Sequence, residues 1–180
     1  PILSLRGLDN LAYYRTVADK PQVYINDTGC GNTINIDHPK TLKLVLDSLR
    51  YWVQVMGVDG FRFDLATILG RNAHGFNSAH AFFQAIEQDP VLSRVKLISE
   101  PWDIGPGGYQ LGAFAAPWRE WNDQYRDVIR RFWQSEEGVI ANVAKRIHGS
   151  FDIFEHSQRG PLNSINFITS HDGFTLADLV

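Results

Sequence analysis

Apolar positions along this chain switch between two periods. From Pro39 to Gly57 they recur at helical spacing, with Leu42, Val45, Leu46, Leu49, Trp52, Val53 and Met56 on one face. Pro39 suits a first helical position and Gly57 a stop, so the pattern predicts a helix between them. The period then falls to two. Residues 58–66 read as a short buried strand, with Phe61, Phe63 and Leu65 on one face and Arg62 and Asp64 on the other. A loop with Gly70, His74 and Gly75 leads to a second helical pattern over 77–88, with Pro90 beyond it. Its apolar face is Ala79, Phe82, Phe83 and Ile86. Residues 95–100 form another strand-like run. Strand, helix and strand joined by short turns predict a βαβ crossover and a parallel sheet.

The flanking regions are less regular. Residues 1–37 are rich in Asn, Asp, Gly and Thr and read as long loops. Helices are predicted over 120–133, with Trp121, Tyr125, Val128, Ile129 and Phe132 on one face, and over 137–147, with Val139, Ile140, Val143 and Ile147. A further strand should lie just before or around 118–121, and another strand-like run covers 165–172, ending in His171-Asp172. No repeat, low-complexity tract or linker marks an internal domain boundary.

Three apolar, strand-like runs end in an acid: Asp64, Glu100 and Asp172. The interval from Glu100 to Asp172 is twice that from Asp64 to Glu100. A (β/α)8 barrel of ~250 residues uses roughly 31 per βα unit, so the acids fit the C-terminal ends of strands n, n+1 and n+3. That rim is where such barrels build their active sites. Arg62 precedes Asp64 by two residues, so it lies on the same face and can fix the carboxylate's orientation. The same pair, taken alone, also reads as a structural clasp closing a strand.

Composition removes several classes of function. Hydrophobic residues make up 44% and charged residues 21%, close to globular averages. The net charge of −3, with no basic run, argues against a nucleic-acid partner. No apolar stretch is long enough for a membrane span. Cys30 is the only cysteine, which rules out an intrachain disulfide and cysteine-type metal clusters and fits a cytoplasmic location. Gly105-Pro106-Gly107-Gly108 lacks the Lys-Ser/Thr of a phosphate loop. Five tryptophans are present, and Trp102, Tyr109, Trp118 and Trp121 follow active-site strands, where flat rings with polar edges can either meet sugars or pack loops.

In this order, these residues resemble the α-amylase superfamily of glycoside hydrolases. Gly60-Phe61-Arg62-Phe63-Asp64 resembles its nucleophile motif after the fourth barrel strand, and Glu100 its general acid/base after the fifth. Ser170-His171-Asp172 resembles the motif after the seventh strand, where His171 and Asp172 would hold hydroxyls of the sugar being cleaved. The segments 6–14 and 26–33, together with 100–112 and 118–123, are similar to those of bacterial glycogen debranching enzymes and isoamylases. The resemblance covers essentially all 180 residues.

The resemblance implies a partial (β/α)8 TIM barrel running from after strand 3 to strand 7. Residues 1–180 would be a fragment of one catalytic barrel domain, with the rest of the barrel and any carbohydrate-binding module or C-terminal domain outside it. The family's Asp-x-x-x-Asn-His motif, expected upstream, is absent. The implied catalytic residues are Asp64, Glu100 and Asp172, with Arg62, His171, Trp102 and Tyr109 binding substrate. Glycogen or amylopectin would be the partner, cleaved at α-1,6 linkages with retention, with no cofactor and no metal. On its own, the chain is expected to be inactive. Other readings stay open: an α-1,4-acting amylase or glucan transferase, a non-catalytic glucan-binding homologue, and a metal-dependent hydrolase using His171, Asp172, Asp64 and Glu100 as ligands.

Overall fold

The computed structural model describes residues 4–179. They form two compact units, the first ending at Gln110 and the second starting at Leu111. The first contains α1 (Arg6–Tyr13), β1 (Thr16–Val17), β2 (Lys20–Tyr24), α2 (Pro39–Gln54), β3 (Gly60–Phe63), β4 (Arg71–Asn72), β5 (Gly75–Phe76), α3 (Ala81–Gln88) and β6 (Lys96–Ser99). The second contains β7 (Arg119–Trp121), α4 (Asp123–Trp133), α5 (Ile140–Ile147), α6 (Phe151–Phe154) and β8 (Ser164–Ile165).

The centre of the first unit is the expected crossover. Strands β3 and β6 pair in parallel, with Gly60 opposite Lys96 and Phe63 opposite Ser99, and α3 lies between them in sequence. Gly60 is required by this pairing, because a Cβ there would sit 2.4 Å from the Lys96 carbonyl oxygen. Phe82, Phe83 and Ile86 of α3 are buried with Leu97 and Leu92, as the helical spacing predicts. Helix α2 begins at Pro39, with the His38 ring accepting the Lys40 N–H. Leu46 and Leu49 of its apolar face are buried, whereas Trp52 and Met56 at its far end are exposed. Gly57 has φ +73°, and the Val58 N–H returns to the Trp52 carbonyl at 3.2 Å, closing the turn into β3.

Three expectations need correction. The first 37 residues are not only loops: they hold α1 and the β1–β2 antiparallel pair. Helix α1 is short, kinked at Asp9 (φ −156°, ψ 90°) and leaves Leu8 and Leu11 exposed. Strand β3 is half-buried along its length rather than buried, and it ends at Phe63. Leu65 takes a left-handed conformation (φ 42°, ψ 50°), so alternation does not extend to it.

In the second unit, β7 falls where a strand was expected and pairs in parallel with β8, Trp121 opposite Ile165. Residues 166–172 lie beyond β8, outside regular strand structure, so the strand is shorter than the predicted run and Asp172 is not at its end. Helices α4 and α5 pack through Ile129, Val139 and Val143, with Tyr125, Val128 and Ile168 against them. Asn122 caps α4 by accepting the Tyr125 N–H at 2.9 Å and donates to Ser150 and Ser164, tying the helix start to its surroundings.

Candidate active site

The first unit brings Arg62, Asp64 and Glu100 together at the C-terminal ends of β3 and β6. Arg62 Nη1 donates to Asp64 Oδ1 at 2.6 Å, and its Nη2 lies 3.0 Å from Glu100 Oε1. The ladder continues past both strands, since the Glu100 N–H donates to the Phe63 carbonyl at 3.0 Å. The left-handed Leu65 then turns its N–H onto Glu100 Oε2 at 2.7 Å, while the Ala66 N–H takes the Glu100 carbonyl at 2.9 Å. Backbone strain at a non-glycine residue is thus located beside the two acids.

The two carboxyls have different surroundings. The Asp64 side chain is 68% exposed and that of Glu100 is 5% exposed. Burial pushes the Glu100 carboxyl above its ordinary range; the Asp64 charge adds to this, and the Leu65 N–H and Arg62 oppose it. A buried carboxyl biased towards its protonated form and an exposed carboxyl therefore lie side by side, each oriented by the same guanidinium.

The loop following Glu100 carries the other residues expected in this unit. Trp102 is half-buried and Tyr109 is half-exposed. What holds this loop was not evident from the sequence. Asp103 is buried and accepts two hydrogen bonds from Arg71, at 2.7 and 2.6 Å, and one from the Gly105 N–H at 2.8 Å. Arg71 Nη2 also reaches the Pro106 carbonyl at 3.0 Å. Nothing in the local sequence of either residue announces the partner, because β4 and the loop are far apart along the chain.

The second unit places His171 and Asp172 beside each other, with Nδ1 and Oδ1 3.8 Å apart. Both are mostly exposed. The Ser170 hydroxyl donates to Asp172 at 2.5 Å and, with smaller contributions from His171 and Arg126, holds its carboxyl below the usual range. Trp121 stacks on Phe167 with ring centroids 4.9 Å apart and lies 6.0 Å from the His171 ring. Trp118 is different. It is buried against Phe114 and cannot meet a sugar. The buried Glu120 was also missed; it pairs with Arg159, whose other N–H groups reach the Phe114 and Trp118 carbonyls.

No protein-family model matches the chain. Individual relatives match along its full length. The glycogen operon protein GlgX homologue of Mycobacterium bovis is 53% identical over 180 residues, which is 100% of this chain and 25% of that protein. The glycogen debranching enzyme of Serratia proteamaculans is 52% identical over 180 residues, 100% of this chain and 27% of that protein. The chain is homologous to the glycogen debranching enzymes. It spans about a quarter of the length of the curated relatives it matches.

Solved structures agree with this kinship. A pullulanase from Bacillus acidopullulyticus superposes with a TM-score of 0.72 at 30% identity, covering 93% of this chain and 21% of that one. A pullulanase from Anoxybacillus sp. LM18-11, complexed with maltotriose, gives 0.71 at 27% identity, covering 93% and 24%. These debranching-enzyme relatives are glycoside hydrolases of the α-amylase family. Among the described residues, no helix is long and apolar enough to cross a membrane, and no group of three or more His, Cys, Asp or Glu side chains could hold a metal ion.

Proposed function

We propose that this chain is the central part of a (β/α)8 barrel in a longer enzyme, one that hydrolyses α-1,6 branch linkages in glycogen or related α-glucans with retention. The observation that carries the reading is the Arg62–Asp64–Glu100 cluster, a buried acid beside an exposed carboxylate at the ends of adjacent parallel strands. Relatedness to glycogen debranching enzymes along the whole chain directs it to branched α-glucans. The pullulanase complex with maltotriose supports an α-glucan ligand.

In this mechanism Asp64 attacks the anomeric carbon as the bond to the glycosidic oxygen breaks. Glu100, biased towards its protonated form by burial, gives its proton to the departing oxygen. A covalent glycosyl ester forms on Asp64. The Glu100 carboxylate then takes a proton from water, the hydroxide equivalent displaces Asp64, and Glu100 is protonated again. The two opposing influences on Glu100 suit the two steps. Burial favours the acid, while the Leu65 N–H and Arg62 stabilise the carboxylate left after the first transfer. Arg62 also occupies the space between the acids with a fixed positive charge, which a metal ion bridging them would have to displace. By the resemblance, His171 and Asp172 would grip sugar hydroxyls as positive charge builds on the ring.

Product analysis tests the reading. The complete enzyme is expected to release linear maltooligosaccharides from glycogen and amylopectin, with the α configuration retained. Predominant cleavage of unbranched amylose would move the chain to an α-1,4-acting amylase or transferase. The 180-residue chain alone is proposed to be inactive, and glycogen hydrolysis by the purified chain at the rate of the complete enzyme would refute this.

A further inference from the structure

A cavity of about 280 Å³ opens beside Asp64. Leu65, Ile68 and Leu69 form its apolar side, and Cys30 and Asn32 approach from the loop that precedes α2. Small-molecule pockets run from ~300 Å³ upward, so this space suits one ring rather than a chain of them.

The loop is built rather than slack. The Thr28 hydroxyl donates to the Asn32 carbonyl at 2.5 Å and accepts the Cys30 N–H at 3.1 Å. Asn26 Oδ1 accepts the Gly31 N–H at 3.0 Å, and the Asp27 N–H donates to Thr33 Oγ1 at 2.8 Å. Gly29 and Gly31 supply the left-handed turns, at φ +81° and +88°. The loop is also tied to the one that follows Glu100: the Ile104 N–H donates to the Asp27 carbonyl at 3.1 Å, and Asp27 lies 3.9 Å from the Arg71 that clamps Asp103. Asn32 enters this network only through its backbone carbonyl, and its side-chain amide has no partner among the described residues.

We propose that the 26–33 loop is one wall of the glucosyl subsite at Asp64, with Asn32 as a hydroxyl-binding residue that fixes the ring. An amide offers two donors and an acceptor, which suits a sugar hydroxyl that both gives and takes a hydrogen bond. Leu65, Ile68 and Leu69 would face the C–H side of the same ring. The ligand class is an α-linked glucosyl unit, and this assignment rests on Asp64 being the nucleophile of an α-glucan hydrolase.

Two measurements on the complete enzyme test it. Asn32→Ala is expected to lower kcat/KM on glycogen about tenfold or more, with an unchanged thermal midpoint. Maltotriose has no branch to cleave and remains intact. It is expected to slow iodoacetamide alkylation of Cys30 several-fold, read by mass spectrometry of the Cys30 peptide, and cellotriose should not. If Asn32→Ala does not fold, the alkylation on the unaltered enzyme decides. Normal debranching by the wild type, together with no protection of Cys30, would overturn the subsite and leave the hydrolase reading intact. Protection by maltotriose in an enzyme that cleaves no branched glucan would overturn the hydrolase reading and leave the subsite standing.

Discussion

Glu100 and Asp172 each follow an apolar, strand-like run, and in sequence they look like equivalent acids. In the structure they are opposites. Glu100 is buried, bonded to the Leu65 N–H and pushed towards its protonated form. Asp172 is mostly exposed and held towards its charged form by the Ser170 hydroxyl, with His171 beside it. The difference comes from what surrounds each acid: a left-handed turn and a clamped loop around Glu100 at the end of β6, an exposed turn well beyond the end of β8 around Asp172. Sequence position marks an acid as a candidate, and the enclosure decides whether it can donate a proton or only hold a charge.

The largest test of this contrast is chemical. Asp64→Asn and Glu100→Gln in the complete enzyme are each expected to lower glycogen hydrolysis by ~10³-fold or more while sparing the fold. Retention of a tenth of the activity by either variant would end the division of roles. Asp172→Asn should cost less, on the order of 10²-fold, because it removes differential binding and leaves the proton transfer intact. A loss equal to that of Glu100→Gln would erase the distinction between the two acids.

Stability measurements sharpen the same comparison. Gly60→Ala drives a methyl group into Lys96 and should destabilise the protein by about 1–3 kcal/mol in denaturant unfolding. Its effect on turnover should exceed that of an equally destabilising change in α5, because Gly60 sets the spacing of the strands that carry Asp64 and Glu100.

The smallest effect is in the pH dependence. Because the native pKa of Glu100 is raised, the folded state binds more protons, and stability falls as pH rises from the unfolded carboxyl value of ~4.3 through the native one. Glu100→Gln should therefore gain stability over wild type above that window and lose the advantage below it. For Asp172 the native value is lowered, so its contribution is present above ~3.9 and is lost as pH falls, which makes Asp172→Asn slightly destabilising near neutrality. Thermal melts across pH that show the same sign for both variants would contradict the contrast.

The parts legible in the sequence were those governed by local period. The buried faces of α2 and α3 follow from Leu46, Leu49, Phe82 and Ile86, and the βαβ crossover from the strand runs around them. Arg62 and Asp64 could be paired because alternation puts neighbours at i and i+2 on one side. What depends on contacts between distant segments was not legible. Arg71 and Asp103 find each other across β4 and a loop, and Asn32 reaches the Asp64 cavity through a turn built by glycines and a threonine hydroxyl. Helix α1 was missed for another reason: Leu8, Leu11 and Ala12 do fall at helical spacing, but the pattern spans only eight residues, is broken by the kink at Asp9 and lies in a stretch rich in turn-forming residues.

The in-register pairing of β3 with β6 has a stereochemical consequence. Phe63 stands opposite Ser99, so the next residue on each strand, Asp64 and Glu100, emerges from the same rung of the ladder. Neighbouring strands run ~4.8 Å apart, and retention at a sugar carbon requires carboxyl groups ~5–5.5 Å apart, too close for a water molecule to stand between them and attack from the far face. The sheet acts as a ruler. Sliding one strand by two residues would keep both acids on the same side and widen the gap between them towards the separation used for inversion, so under the proposed mechanism the hand of the released sugar would follow from a hydrogen-bond register rather than from the identity of either acid.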